Sequence, residues 1–213
     1  MDILGKIFGS GLKVKIMRLY LFHREKVFDN KEIAKRTNTI PQKSIKDVLV
    51  LEHAGLLKKK IFLKPIEGKR GKRGKLKRRK AIGWFLNSKF EYLAAIHNLL
   101  INTIILNDED ITERLSKAGN IKLVIIAGIF IQDFDSRVDL LVVGDRIKKN
   151  ILENIIKSME ADIGTELRYT YFETPDFQYR LGVYDKLIRD IIEFPHHKVI
   201  DKIDLQANKM RPM

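Results

Sequence analysis

The 213-residue chain contains no cysteine. Disulfides and thiolate metal sites are therefore excluded. Histidine is scarce, at 5 residues. His23, His53 and His97 are scattered, and only His196 and His197 are neighbours. Such a pair reads as a solvated loop rather than as two metal ligands. Long apolar runs are also lacking. The longest, 123–131, falls far short of the roughly 18 residues of a membrane span. It suits a buried strand instead. The opening residues carry Asp2 where a secretory leader would carry positive charge, and Lys6, Gly9 and Gly11 break the apolar stretch that follows. Together these absences predict a cytoplasmic protein with no membrane partner, no metal and no cofactor.

What the chain has in excess is positive charge, and it is unevenly placed. The formal net charge is +14. Residues 1–86 hold 24 Lys and Arg against 7 Asp and Glu, whereas residues 87–213 hold 17 against 20. One part of the chain is thus built to meet a polyanion, and the rest is nearly neutral. An anionic membrane would call for an amphipathic basic helix with aromatics opposite. The basic run here is spaced by glycines and is not amphipathic, which favours nucleic acid.

Periodicity orders the basic part. Val14, Met17 and Leu21 recur at helical spacing over 12–22. Asp29 is a candidate N-cap, with Glu32 three residues later as in a capping box and Phe28 placed to pack on Ile33. That helix should end near Thr37. Pro41 opens a third helix, 41–54, with Ile45, Val48 and Leu51 on one face and Gly55 as the left-handed residue beyond it. Two helices joined by a short turn fit a helix-turn-helix. Two β-compatible stretches follow, 56–63 and 81–86. Between Lys58 and Lys80 lie thirteen basic residues and one acid, Glu67. Like charges with little to bury predict a flexible cationic loop joining two strands.

The stretch 30–60, "NKEIAKRTNTIPQKSIKDVLVLEHAGLLKKK", resembles the winged helix-turn-helix regulators of the arsenic-repressor-like group. The resemblance implies double-stranded DNA as partner, the third helix in the major groove and the wing on the adjacent backbone. Carried onto this chain, Gln42, Lys43 and Lys46 would face bases or phosphates. From the wing, Lys69, Arg70, Lys72, Arg73, Lys75, Lys77, Arg78, Arg79 and Lys80 would join them. Ile40 departs from the small polar cap expected before the third helix. A solvated helix face and a solubility tail are the plainer readings of the same lysines.

Residues 87–120 read as joining helices. Phe90, Leu93, Ile96, Leu99 and Leu100 form an apolar stripe. Such regulators dimerise, and this stripe is the candidate contact for a homodimer. Beyond it, 121–205 alternates strand, strand, helix, strand and helix, an α/β layer pattern. Residues 127–145, "AGIFIQDFDSRVDLLVVGD", resemble the nucleotidyltransferase signature of the DNA polymerase beta superfamily. That signature has Gly-Ser after the first strand and two carboxylates one residue apart on the second. Alternate strand residues share a face, so both carboxylates reach one magnesium pair. Here Gly128 is kept, but Ile129 stands for the Ser and Arg137 for the first carboxylate. Asp139 remains. No acid lies inside 167–172, and Glu166 sits only at its edge. The plainer alternative takes Asp135, Asp139 and Asp145 as ordinary strand-end acids, and Asp133 with Asp135 makes a weak metal candidate.

The expected fold class is α+β. A winged helix-turn-helix (1–86) is followed by joining helices (87–120), an α/β nucleotidyltransferase-like domain without catalytic residues (121–205) and a tail (206–213). The expected function is DNA-binding transcriptional regulation through helix 41–54 and wing 58–80. An active nucleotidyltransferase and an RNA-binding factor are the alternatives.

Overall fold

A computed structural model describes residues 3–70, 76–101, 106–133 and 135–205, with 66–70, 76 and 77 described in backbone only. The expected tail, 206–213, lies outside the described residues. The protein is mixed α+β with a two-stranded and a four-stranded sheet. It divides into two compact units. The first comprises Met1–Thr103 with Glu160–Thr165, and the second Ile104–Met159 with Glu166–Met213.

In the first unit a short helix α1 (Ile3–Ile7) precedes α2 (Gly11–Phe22). Ser10 caps α2 by accepting from the Lys13 N–H at 3.2 Å, and its hydroxyl donates to Asp47 at 2.7 Å. From Ile16 to Leu21 every residue of α2 is buried, so the helix lies within the core rather than on it. Each large apolar side chain buried this way contributes roughly 1.5–3 kcal/mol. Arg18 is only 4% exposed. Its guanidinium is accommodated by donating to the Leu100 carbonyl at 3.2 Å and the Asp162 carbonyl at 3.0 Å.

Helix α3 (Asn30–Arg36) is capped by Asp29, whose carboxylate accepts from the Glu32 N–H at 2.9 Å. The chain turns through Asn38, at φ +50°, into α4 (Pro41–His53). Pro41 is the first helical residue, and Ile40 supplies no side-chain cap. The α3–α4 crossing is braced by polar groups. The Ser44 hydroxyl donates to Asn30 at 2.7 Å, and the Asn30 amide donates to the Pro41 carbonyl at 2.9 Å. Gly55, at φ +85°, then releases the chain from α4.

Strands β1 (Leu57–Arg70) and β2 (Leu76–Leu86) form an antiparallel hairpin. They are longer than the expected 56–63 and 81–86, because the ladder continues through the lysines as far as Pro65↔Arg78 and again at Arg70↔Leu76. Backbone pairing and cross-strand partners such as Ile61↔Ile82 and Phe62↔Ala81 hold it, while alternation sends the cations to opposite faces. Phe28 adds a bridge to Trp84, with each N–H donating to the other's carbonyl at 3.0 and 2.9 Å. At Gly83 a side chain would fall 2.6 Å from the Phe62 ring and 2.8 Å from the Phe28 carbonyl, so the residue must be glycine for the hairpin to seat.

Helix α5 (Leu93–Ile101) belongs to this same unit. Leu100 and Ile101 are buried, and Phe90, Leu93 and Ile96 pack against the core they share with α2. The stripe assigned above to a homodimer contact therefore completes the unit's own core, leaving Leu99 partly exposed. Residues 87–120 are not a separate linker, since the units divide between Thr103 and Ile104.

In the second unit, α6 (Asp108–Ser116) leads to β3 (Asn120–Ile126) and β4 (Leu140–Asp145). Then come α7 (Lys149–Ile163), whose residues from Glu160 onward belong to the first unit, β5 (Tyr169–Glu173), α8 (Thr174–Gly182), α9 (Lys186–Glu193) and β6 (His197–Asp201). The sheet order is β5-β4-β3-β6. β4 and β5 run parallel, which requires the crossover α7 supplies. The other pairs are antiparallel. Phe177, Ile188 and Ile191 of α8 and α9 cover Leu123, Ile125, Leu141 and Val143. The apolar run 123–131 is not one strand: it leaves β3 after Ile126 and forms a 3-10 turn, Gly128–Ile131, with Gly128 at φ +54°. His197 lies in β6, not in a solvated loop, and its Nε2 meets Asp108 at 2.7 Å.

Candidate nucleic-acid interface

Helix α4 has two unlike faces. Ser44, Val48 and Leu51 are buried. Gln42, Lys43, Lys46, Leu49, Val50 and His53 are exposed. At 100° per residue Lys46 lies at the centre of the outward face, with Gln42 and Lys43 one turn before it and Leu49 and Val50 one turn after. The three residues singled out on this helix, Gln42, Lys43 and Lys46, thus share one solvent-facing surface.

The hairpin supplies the second cationic surface. Arg78, Arg79 and Lys80 are exposed on β2, and Lys58, Lys59 and Lys60 on β1. Lys69, Arg70 and Lys77 lie on the strands by backbone, while Lys72, Arg73 and Lys75 fall outside the described residues. The cations are therefore largely carried on a ladder rather than on a flexible loop. Lys64 is the exception to outward display. Its ammonium sits 2.8 Å from Asp29 and 3.5 Å from Glu32, tying β1 to the start of α3. Burial is the largest single effect on Asp29 and opposes its charge, yet the Lys64 hydrogen bond, the Glu32 N–H and the charges of Lys64 and Arg79 together hold the carboxyl below its ordinary range. Burial likewise opposes charge on Lys64, and Asp29 keeps the ammonium above its ordinary value.

The second unit places its acids differently. Asp139 is 2% exposed and fully engaged. It accepts from the Ile129 N–H at 3.1 Å and the Arg168 N–H at 2.8 Å, and it receives the Arg168 side chain through Nε at 3.1 Å and Nη2 at 2.9 Å. The hydrogen bond to Asp139 raises Arg168 above its ordinary value. Arg137 is exposed and pairs with Asp190 at 3.1 Å. Asp133 accepts from the Asp135 N–H within its own turn. Among the described residues, no group of three or more His, Asp or Glu is placed to hold a metal ion.

Several of these partners were invisible to the sequence reading. Arg168 lies 29 residues from Asp139, and Asn30 lies 14 from Ser44. Neither pair has a local signature. Lys64 stood inside the basic run with nothing to separate it from its neighbours. No helix among the described residues is long and apolar enough to cross a membrane. No protein-family model, curated protein or solved structure matches this chain.

Proposed function

We propose that this chain is a DNA-binding transcriptional regulator of winged helix-turn-helix architecture. α3 and α4 form the helix pair, and β1 and β2 form the wing. The observation that carries this reading is the outward face of α4. Gln42, Lys43 and Lys46 are exposed on it, in the unit that also bears the exposed cations of the hairpin. A helix of this width enters the major groove, where Gln can pair with adenine and Lys with guanine or phosphate. The second unit is a nucleotidyltransferase-like domain without the reaction, acting in assembly or in sensing. Its one retained carboxylate, Asp139, is occupied by Arg168, and a metal would have to displace that guanidinium. A homodimer is part of the proposal, through a surface other than the α5 stripe.

The test is equilibrium binding of duplex DNA across salt, using random sequence and the upstream region of the protein's own coding sequence. Wild type is compared with Lys43→Ala/Lys46→Ala. The expected result is a steep salt slope that falls by about 1 for each phosphate contact removed. Tighter binding to the upstream duplex should vanish in the variant. Equal binding by both proteins to both duplexes would remove α4 from the interface.

A further inference from the structure

The outer part of the hairpin has an apolar face that its own unit leaves uncovered. Ile61 is 67% exposed, Leu63 58% and Ile82 49%. Ile61 and Ile82 are direct cross-strand partners. Alternation along β1 puts Leu63 on the same side. Lys59 lies on that side too, as do Lys80 opposite Leu63 and Arg78 opposite Pro65. All three cations are exposed. Among the described residues none of them forms an ion pair. The opposite side of the ribbon is used internally: Phe62 packs near Gly83, and Lys64 is tied to Asp29. At its base the apolar face also enters the core, through Leu57, Trp84 and Leu86; only its outer part, beyond Trp84, presents three aliphatic side chains framed by positive charge.

The frame decides what can cover it. A second copy of the same face would bring lysines and arginines against one another, at a cost in like-charge repulsion. An occupant must be anionic at the edges and accept aliphatic side chains at the centre. Duplex DNA offers both, with phosphates lining a groove whose base steps admit Ile or Leu wedges. Resting on the DNA-binding reading above, the geometry points to a more specific role. The Ile61, Leu63 and Ile82 face enters the minor groove as a wedge, Lys59, Arg78 and Lys80 hold the flanking phosphates, and the duplex is bent. The hairpin then acts as an architectural element as well as a source of charge.

The test uses the full chain and a duplex of roughly 30 base pairs, far shorter than the persistence length and therefore straight when free. Donor and acceptor dyes at the two ends report bending by energy transfer, and anisotropy reports binding on the same duplex. Wild type should raise the transfer efficiency, with a bend of roughly 20–90°. In Ile61→Thr/Leu63→Thr/Ile82→Thr the cations remain and β-branched residues preserve strand preference. That variant should keep the salt slope and bind within about twofold of wild type, since phosphates dominate affinity, yet leave the duplex straight. Lys59→Gln/Arg78→Gln/Lys80→Gln should lower the salt slope. Wild type that binds without bending, or a threonine variant that bends equally, overturns the wedge while leaving DNA binding intact. Failure to bind any duplex at low salt, with binding to phosphatidylglycerol vesicles instead, overturns the DNA-binding reading and the wedge together.

Discussion

The two units handle charge in opposite ways. In the second, Arg168 meets Asp139, Arg137 meets Asp190, Arg180 meets Asp176 and Asp185, and Lys198 meets Asp201. In the first, Lys43, Lys46, Lys59, Arg78 and Lys80 face solvent with no ion-pair partner among the described residues. The second unit is not poor in cations; it matches them with acids. Residues 1–86 hold more lysines and arginines than residues 87–213, 24 against 17, but the sharper contrast lies in the acids, 7 against 20. What separates them is whether the chain places acids within reach, because an unmatched cation keeps its field available to a polyanion.

Removing a charge should therefore harm stability in one unit and binding in the other. The largest stability loss is expected from Asp139→Ala. It strands the Ile129 and Arg168 N–H groups and removes the partner of Arg168. Breaking a buried pair costs about 3–5 kcal/mol. Arg168 is half-exposed and can turn to water, so about 2–3 kcal/mol is expected, read as a lower urea midpoint. Affinity for DNA should change little. Conversely, Lys43→Ala/Lys46→Ala should leave the midpoint within about 0.5 kcal/mol of wild type while weakening duplex binding about tenfold or more. A variant pair that shifted both readouts equally would erase the contrast.

The first unit does pair some of its charge, in Lys15–Asp162, Arg36–Glu32 and Lys64–Asp29, and smaller effects test the last of these. Asp29 is held below its ordinary range, so its contribution is present above the unfolded value, near 4, and is lost as pH falls through the folded value. Asp29→Asn can still cap α3 but cannot pair with Lys64. Its stability should lie below wild type by about 1 kcal/mol or less at neutral pH, with the gap closing in acid, as acid titration followed by circular dichroism would record. The smallest effect is a gain. Ile40→Ser would supply the missing cap of α4 and should stabilise the unit by roughly 0.5–1 kcal/mol in thermal unfolding.

Features set by near neighbours were legible in the residues. The Asp29 cap, Pro41 at the start of α4 and Gly55 beyond it depend on a few consecutive positions, and the structure has each of them. The inward Val48 and Leu51 follow from helical spacing alone. Features set by partners distant in sequence were not legible. The α5 stripe looked available because nothing local shows that α2 runs beside it. The lysines of β1 argued for a loop because charge repulsion is visible in sequence, whereas the opposing strand of the ladder is not. Gly128 was visible as a glycine, but the turn it permits is fixed by Asp139 and Arg168.

The Asn30–Ser44 brace has a kinetic consequence. Because α4 is fastened to α3 by side chain as well as by packing, its outward face is aimed before any partner arrives. Little ordering is left to be done at the moment of encounter. Sequence-dependent differences in affinity should then reside in how slowly a bound duplex departs, while arrival is governed by charge and salt.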